Sequence, residues 1–441
     1  MANKPLTLLQ INVCNNALST GKIASDIGEL AIENGWESYI AYSEASAFKP
    51  SKNHACPLGS KFASYSHALE ARLLDNSGLG LSSVAATREL ISKIEAIKPS
   101  VIHLHIIHGY YLNLKVLFRY LSRNDIPVVW TIHSCWEFTG HCGFFTTVDC
   151  DKWKTGCHSC PQIHAYPTSW FRDRSRKNYE EKKTLFTSVN NMTLVPVSNW
   201  LGGLLKESFL NKYPILPIYN GIDTDVYAPS QNAAQIREKL NVGDKLIAIG
   251  VASTWEERKN LKDYIRLSDK TGDDIQIVLI GLNESQIKSL PSSIIGLPRT
   301  TSLQELVDYY SAADVVLNLS LEETFGLTTV EGFACGTPSI VYNKTASPEL
   351  VSADTGFVVE AGDLDGVLRN MKEIQDKTKA SYSDACRKRA IKCFNKRSNY
   401  KEYIKLYNRL VEEAAENQPV LRGGGYNLIQ FAYCGEIGRA A

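Results

Sequence analysis

The 441-residue chain lacks a long hydrophobic run, a sizeable net charge and a secretory signal. No apolar stretch reaches ~18 residues, so a membrane-spanning helix is excluded. The formal net charge is +1, from 48 basic and 47 acidic residues, so no global electric field favours nucleic acid as a partner. The first residues, MANKPLTLLQINV, lack the long apolar core and cleavage site of a secretory signal, which predicts a cytoplasmic protein.

The composition that is present is typical of a folded protein with more than one domain. Apolar residues make up 44% of the chain and charged residues 22%, which excludes a disordered chain. A prior of roughly 150 residues per domain predicts two or three domains. The 11 cysteines are an odd number in a large intracellular chain, so disulfides are not expected to account for them.

Strand-like apolar runs alternate with amphipathic helical stretches in two blocks, the pattern of βαβ units. The first block has predicted strands at 6–13, 37–42, 101–104, 127–132 and 194–197, and the second at 246–251, 275–281, 315–319 and 339–342. These runs are too apolar for burial on one face only, which predicts parallel strands covered by helices on both faces. We expect an α/β fold with two Rossmann-like, doubly wound domains facing a cleft, and ligands beyond the carboxyl ends of the strands.

The domain boundaries follow from a Pro- and Gly-punctuated hinge between the two blocks. The N-terminal domain is predicted to span 1–217 and to contain a Cys-rich insert at 135–161. The C-terminal domain is predicted to span 218–397, and a charged helix at 398–418 is expected to pack back on the N-terminal domain. Residues 419–441 lack periodicity, and we interpret them as a tail of vector origin outside the fold.

The stretch LSLEETFGLTTVEGFACGTPSIV has the most informative pattern. The predicted strand at 315–319 leads to Glu323, and a helix is predicted to begin near Phe325 and Gly326. A helix start offers unpaired N–H groups and the positive end of the helix dipole, so it can bind an anion. Glu323 and Glu331 are carboxylates that can accept hydrogen bonds from a hydroxyl-rich ligand. The alternative is a solvated helix with two ordinary glutamates.

With this motif the chain resembles glycosyltransferase family 4, retaining enzymes of the GT-B fold, in their capsular, exopolysaccharide or colanic-acid-type branch. The Glu-x7-Glu signature of the family matches Glu323 and Glu331. The resemblance implies that Glu323 contacts the donor hexose and that Glu331 binds the nucleotide ribose. It also implies that the donor diphosphate faces the start of the helix, at Phe325, Gly326, Leu327 and Thr328.

A second motif, GVASTWEERKNLKDYIRL, follows the predicted strand at 246–251. Lys259 matches the lysine of a cation pair that neutralises the donor diphosphate in the family, and a fixed cation there stabilises the leaving nucleotide. The usual arginine of that pair lies upstream, where this chain has Ala252 and Ser253, so Arg258 is the substitute candidate. The alternative is that both cations are solvated at a helix start.

Candidate residues of the first block lie at two strand ends. Thr20 and Gly21, in the predicted loop before the first helix, partly resemble the family's N-terminal glycine loop near donor phosphates and acceptor; the alternative is a Ser/Thr-capped helix start. By the resemblance, His133 contacts the donor sugar from the end of its strand. His103 and His105 alternate on a strand and are expected to be packing and hydrogen-bonding residues.

The segment CGFFTTVDCDKWKTGCHSC contains four cysteines with the spacing C-x7-C-x6-C-x2-C: Cys142, Cys150, Cys157 and Cys160. Four thiols are the ligand types of a structural zinc site, and such a site has no open position for catalysis. The alternative is a reduced, buried Cys-rich loop without metal. The three Asp-x-Asp triplets of the chain fit turns, so sugar transfer is expected to need no metal cofactor.

The resemblance implies a nucleotide diphosphate sugar as donor and a saccharide or lipid-linked saccharide as acceptor, in capsule, O-antigen or exopolysaccharide biosynthesis. The basic segment around Trp170 and Phe171 could also dock on anionic lipid at the inner membrane face, or form a solvated helix face. The expected activity is hexose transfer with retention. The rival functions are a sugar-nucleotide epimerase or hydrolase of the same fold, and a non-catalytic zinc protein that binds nucleotide sugars.

Overall fold

Two parallel six-stranded sheets organise the protein, whose computed structural model describes residues 5–416. The described chain divides into two compact units. The first contains the residues up to Ile218 together with those from Arg397 onward, and the second contains Tyr219–Lys396. The tail that the sequence predicts at 419–441 lies outside the described residues.

The first unit is built from strands and helices that alternate along most of its length. Its strands are β1 (Thr7–Ile11), β2 (Glu37–Ser43), β3 (His54–Leu58), β4 (Val101–Leu104), β5 (Val128–Ile132) and β6 (Met192–Pro196). Its helices are α1 (Leu18–Glu33), α2 (Lys61–Leu74), α3 (Val84–Ile97), α4 (Leu114–Leu121), α5 (Ser175–Phe186) and α6 (Asn199–Glu207). Single 3-10 turns lie at Leu81–Ser83, Trp136–Phe138, Thr146–Val148 and Lys152–Lys154.

The second unit repeats this alternation. Its strands are β7 (Leu246–Val251), β8 (Ile275–Ile280), β9 (Ile294–Leu297), β10 (Val315–Asn318), β11 (Ser339–Tyr342) and β12 (Gly356–Val359). Its helices are α7 (Ala233–Leu240), α8 (Leu261–Ser268), α9 (Glu284–Ser289), α10 (Leu303–Ala312), α11 (Leu327–Ala334), α12 (Ser347–Leu350), α13 (Leu364–Lys377) and α14 (Ala380–Phe394). A 3-10 turn lies at Glu257–Lys259, and the last described helix is α15 (Lys396–Glu416).

The two sheets have the same strand order. The first runs β3-β2-β1-β4-β5-β6 and the second β9-β8-β7-β10-β11-β12, with every neighbouring pair parallel. The order reverses between β1 and β4 and between β7 and β10. Ligands of doubly wound folds bind at this switch point, beyond the carboxyl ends of the strands. The predicted α/β, doubly wound fold class is confirmed.

Central and edge strands differ in how clearly the sequence indicates them. The central strands β1, β4 and β5 are buried along their whole length, so each is a mostly apolar run, and the edge strand β6 is buried in the same way. The strands β3, β9 and β12 were not predicted, and they lie at sheet edges. The first of them, HACPL, is mostly exposed and contains Pro57, which is tolerated at an edge because no second neighbour needs its missing N–H.

Helix α15 packs into the core of the first unit through a row of buried tyrosines, Tyr400, Tyr403 and Tyr407. The Tyr403 hydroxyl lies 2.9 Å from Thr131 Oγ1, and the Tyr407 hydroxyl lies 2.6 Å from Nδ1 of His103. His103 therefore has the packing and hydrogen-bonding role expected from its place on a strand.

Across residues 5–416, no helix combines the length and the hydropathy that crossing a bilayer requires.

Candidate active site

A largely buried ion pair lies at the switch point of the second sheet. Lys259 follows β7 and Glu323 follows β10, so both residues lie beyond the carboxyl ends of adjacent strands. The Lys259 ammonium forms a salt bridge with Oε1 of Glu323, and Nη1 of Arg258 lies 3.9 Å from its Oε2. The Glu323 residue is only 8% exposed. The fold thus brings together three residues from two separate sequence motifs.

The two cations keep the Glu323 carboxyl ionised. Burial by itself would raise the pKa of this carboxyl, but the charges of Lys259 and Arg258 outweigh burial and hold the pKa below its ordinary value. An ionised, buried carboxylate is a strong acceptor for hydroxyl donors. The pair therefore provides both an anionic hydrogen-bond acceptor and a cation at one sheet edge.

Hydrogen bonds tie the loop after β7 to the loop after β10. Asn260 adopts a left-handed conformation, with φ at 56°, and its side-chain amide donates to the Leu319 carbonyl at 3.2 Å. The Leu321 N–H donates to the carbonyl of Arg258 at 2.8 Å. The Glu323 N–H donates to Oγ1 of Thr345 at 2.9 Å. These contacts fix the backbone on both sides of the ion pair.

Helix α11 begins directly after this loop, with Gly326 as its N-cap and Leu327 and Thr328 as its first residues. The first N–H groups of a helix have no intrahelical partner and form its positive end, so they can bind an anion. Gly326 has a φ of +104°, which any side chain disfavours, and an added Cβ would lie 3.1 Å from Cδ1 of Leu350. The Phe325 ring is buried in the core of this unit, so the residue offers a ligand its backbone rather than its ring.

Two tyrosines that the sequence analysis did not select hold the Glu331 carboxylate. The Tyr227 hydroxyl donates to Oε1 of Glu331 at 3.0 Å, and the Tyr310 hydroxyl donates to Oε2 at 2.8 Å. Burial, reinforced by the Glu331 charge, raises the pKa of both phenols, so they remain donors. Tyr227 is 104 residues from Glu331 in the chain, and no local pattern in the sequence signals such a pairing.

In the first unit, Thr20 and Gly21 lie within helix α1 and not in a loop, which corrects the expectation. The helix begins already at Leu18, because the chain turns tightly after β1. An added Cβ on Gly21 would lie 2.8 Å from Sγ of Cys14, and the Cys14 thiol is hydrogen-bonded to the Thr20 hydroxyl. In the described structure both residues therefore pack the first turn of α1 against the segment that follows β1.

His133 follows β5 at the carboxyl edge of the first sheet. Its Nε2 lies 3.3 Å from Nδ1 of His105, whose own Nε2 lies 3.0 Å from Oε1 of Gln10. Burial lowers the pKa of His133 to about 4, so its imidazole is neutral at physiological pH. A neutral imidazole has one donor and one acceptor nitrogen, which suits contact with a hydroxyl group.

The four cysteines predicted as zinc ligands, Cys142, Cys150, Cys157 and Cys160, line one cavity of about 10 Å³. Within residues 5–416, however, no three His, Cys, Asp or Glu side chains are placed so that they could hold a metal ion. The thiols of Cys142 and Cys160 hydrogen-bond to each other, and burial raises the pKa of Cys157 to about 11. A zinc site needs convergent ligands, which the described side chains do not provide, so the structure does not support the zinc prediction.

Family models match both units of the chain. The model described as Glycosyltransferase Family 4 matches residues 32–226, and the model described as Glycosyl transferases group 1 matches residues 232–393. The chain is 24% identical over 431 residues to an Escherichia coli K12 protein assigned as colanic acid biosynthesis glycosyl transferase WcaC. That similarity covers 92% of this chain and 100% of the relative.

Two further proteins are similar to this chain. A UDP-Gal:alpha-D-GlcNAc-diphosphoundecaprenol alpha-1,3-galactosyltransferase of Escherichia coli is 26% identical over 207 residues, which cover 43% of this chain and 53% of the relative. The crystal structure of Anabaena HepE in complex with UDP superposes with a TM-score of 0.63 at 13% identity, covering 92% of this chain and 100% of that chain. The protein described above thus belongs to glycosyltransferase family 4 and has the GT-B fold.

Proposed function

We propose that this glycosyltransferase moves a hexose from a nucleotide diphosphate sugar to a hydroxyl of a saccharide acceptor, with retention of the anomeric configuration. We assign the reaction to capsule, O-antigen or exopolysaccharide assembly. The observation that supports it most is the largely buried pair of Lys259 and Glu323, at the switch point between β7 and β10 and beside the start of α11. The UDP bound to HepE and the polysaccharide role assigned to WcaC agree with this proposal.

In this proposal the donor diphosphate binds the amides at the start of α11 and the cations beside them. Negative charge accumulates on the diphosphate as its bond to the sugar breaks, so fixed positive groups stabilise the transition state more than the ground state. Lys259 and Arg258 are already held within 4 Å of the Glu323 carboxylate. Donor binding would move Lys259 from Glu323 to the diphosphate and leave the carboxylate to accept hydrogen bonds from the hexose.

Glu331 has a different partner in the proposal, the ribose of the nucleotide. Its two oxygens each accept one tyrosine hydroxyl, and a carboxylate oxygen can accept more than one hydrogen bond. The tyrosines hold the carboxylate in one orientation before the nucleotide arrives, which lowers the entropy cost of binding. We propose that His133 contacts a sugar hydroxyl, the role that the family resemblance implies.

The acceptor in the proposal is a lipid-linked saccharide. The galactosyltransferase relative is named for an acceptor attached to diphosphoundecaprenol, a lipid. Such an acceptor is presented at a membrane surface, so we propose a cytoplasmic protein in peripheral contact with the inner face of the membrane. Charge neutralisation is assigned to protein groups throughout, and no cofactor is required.

The proposal is tested by thermal unfolding of the protein with UDP-, GDP-, ADP- and CDP-sugars. A true donor stabilises the native state, so one nucleotide class is expected to raise Tm. Purified protein is then incubated with that donor and a lipid diphosphate saccharide, and the anomeric configuration of the product is read by NMR. An inverted product would overturn retention, and the absence of any stabilising nucleotide sugar would overturn the donor assignment.

A further inference from the structure

Helix α2 turns its large apolar side chains to solvent and its small ones to the protein. The outward side chains are Phe62, Tyr65, Leu69 and Leu73, which are 82%, 71%, 49% and 38% exposed. Spacings of three and four residues place them in one stripe along the helix. The opposite face contributes His67, Ala68 and Ala71 to the interior. This arrangement reverses that of an ordinary surface helix.

Two further aromatic residues extend the stripe. Trp170 and Phe171 are 49% and 78% exposed, and the Trp170 N–H donates to the Arg72 carbonyl near the end of α2 at 2.7 Å. The Arg72 guanidinium lies 6.0 Å from the centroid of the Trp170 ring. We call the six exposed apolar side chains the α2 patch: Phe62, Tyr65, Leu69, Leu73, Trp170 and Phe171. Soluble proteins rarely expose so many large apolar groups together without a partner.

The patch is accompanied by an excess of positive charge. Residues 61–74 and 166–177 contain six Lys or Arg residues but only two acidic ones. Both acidic side chains are engaged by backbone N–H groups. Glu70 accepts from Leu81 at 2.8 Å, and Asp173 accepts from Cys160 at 2.7 Å. Among the basic residues, Lys61, Arg172, Arg176 and Lys177 are exposed.

We propose that the α2 patch docks on an anionic lipid bilayer. Protruding Phe, Trp, Tyr and Leu side chains insert at the boundary between headgroups and acyl chains, while neighbouring Lys and Arg side chains attract anionic headgroups. The basic surround distinguishes this surface from an apolar contact between proteins, whose centre is depleted of charge. The proposal rests on the peripheral membrane contact in the proposed function, and it identifies the surface that makes that contact.

The test is co-sedimentation of the full chain with phosphatidylcholine vesicles, with and without phosphatidylglycerol. We expect binding to the anionic vesicles only, and we expect high salt to weaken it. The triple variant Phe62→Ser, Leu69→Ser, Phe171→Ser should lose at least tenfold in vesicle affinity, because these side chains are exposed and contribute little to the core. Ile391→Ser, at a residue of the second unit that is 46% exposed, is the matched control and should bind like the wild type.

A wild-type protein that fails to sediment with anionic vesicles would overturn the proposal, as would a triple variant that binds as tightly as the wild type. Loss of self-association in the variant, without any vesicle binding by the wild type, would instead assign the patch to a second copy of the chain. The Tm shift with donor is measured on the same samples. Vesicle binding without any donor shift would contradict the proposed function and leave the docking surface standing.

Discussion

The two units of this protein share one strand order but place opposite chemistry at the equivalent sheet edge. At the switch point of the second unit, an ionised carboxylate is held by Lys259 and Arg258. At the same edge of the first sheet, beyond β4 and β5, His105 and His133 form a stack of neutral imidazoles. All nine histidines of the chain lie between residues 54 and 164, within the first unit. A fold provides the edge, and the side chains determine what the edge can bind.

Removing the Lys259 cation of the second unit should have the largest effect on activity. In the proposed site, Lys259→Met removes a fixed cation from the donor diphosphate, so we expect the transfer rate to fall by about 10²–10³-fold. The measurement is the initial rate with the donor that the thermal shifts identify. Glu256→Gln is the control, because Glu256 is exposed and pairs only with the Arg258 side chain in the described ion pairs. A Lys259→Met rate within tenfold of the wild type would contradict the assigned role.

Acid should lower the stability of the first unit more than that of the second unit. Burial lowers the pKa of His67 to about 4, so between its ordinary pKa of 6.5 and that value the unfolded chain binds a proton that the folded chain does not. The contribution of neutral His67 to the free energy of unfolding is fully present above pH 6.5 and is lost as the pH falls toward 4. The loss amounts to about 3 kcal/mol for His67 alone. His108 and His133, whose pKa values burial lowers to about 3 and about 4, act in the same direction.

Glu137 acts in the opposite direction, because burial raises its pKa to about 7, but a single carboxyl does not offset several histidines. Hydrogen exchange between pH 7 and 5 should show the first unit losing protection while the second unit, which has no histidine, keeps it. His67→Gln should reduce the pH dependence of the first unit. Equal loss of protection in both units would contradict the assignment of neutral, buried imidazoles.

The start of α11 can be tested at its N-cap. Gly326→Ala forces a side chain into a left-handed conformation, and we expect it to cost ~1–3 kcal/mol of stability and to weaken donor binding. Gly203→Ala, within helix α6, has no atom within 4 Å of the added Cβ and serves as the control. We expect the control to be neutral or slightly stabilising, as measured by denaturant unfolding.

The smallest expected effect concerns the tyrosines that hold Glu331. Tyr227→Phe and Tyr310→Phe each remove one hydrogen bond to the carboxylate, worth ~1 kcal/mol. We expect a rise in donor KM of about fivefold for each, with kcat little changed. Tyr309→Phe, next to Tyr310 on α10, is the control. Unchanged KM in both variants would show that Glu331 does not depend on these phenols.

The sequence predicted the fold class and the positions of the central strands, but it did not predict the contacts that the candidate residues make. Central strands such as 246–251 and 339–342 were located from their apolar runs, and they match β7 and β11 residue for residue. The edge strands β3, β9 and β12 were missed because they are partly exposed and lack such a run, whereas the buried edge strand β6 was predicted. The motif containing Glu323 and Glu331 is local in sequence, so it was visible, whereas Tyr227 reaches Glu331 only through tertiary packing.

The same distinction explains why Thr20 and Gly21 were placed in the wrong element and why the structure does not support the predicted zinc site. Thr20 and Gly21 look like loop residues by composition, but packing against Cys14 places them inside α1. The cysteine spacing indicated zinc because it specifies ligand types, whereas the direction in which each thiol points depends on the surrounding loop. His133 could be placed at a strand end from the sequence, but not its contact with His105.

The most direct test is a crystal structure of the protein with UDP or whichever nucleotide diphosphate stabilises it. We predict diphosphate oxygens within hydrogen-bond distance of the Leu327 and Thr328 amides, Nζ of Lys259 turned from Glu323 to the diphosphate, and the ribose on Glu331. A nucleotide bound elsewhere, with the ion pair of Lys259 and Glu323 intact, would contradict the account.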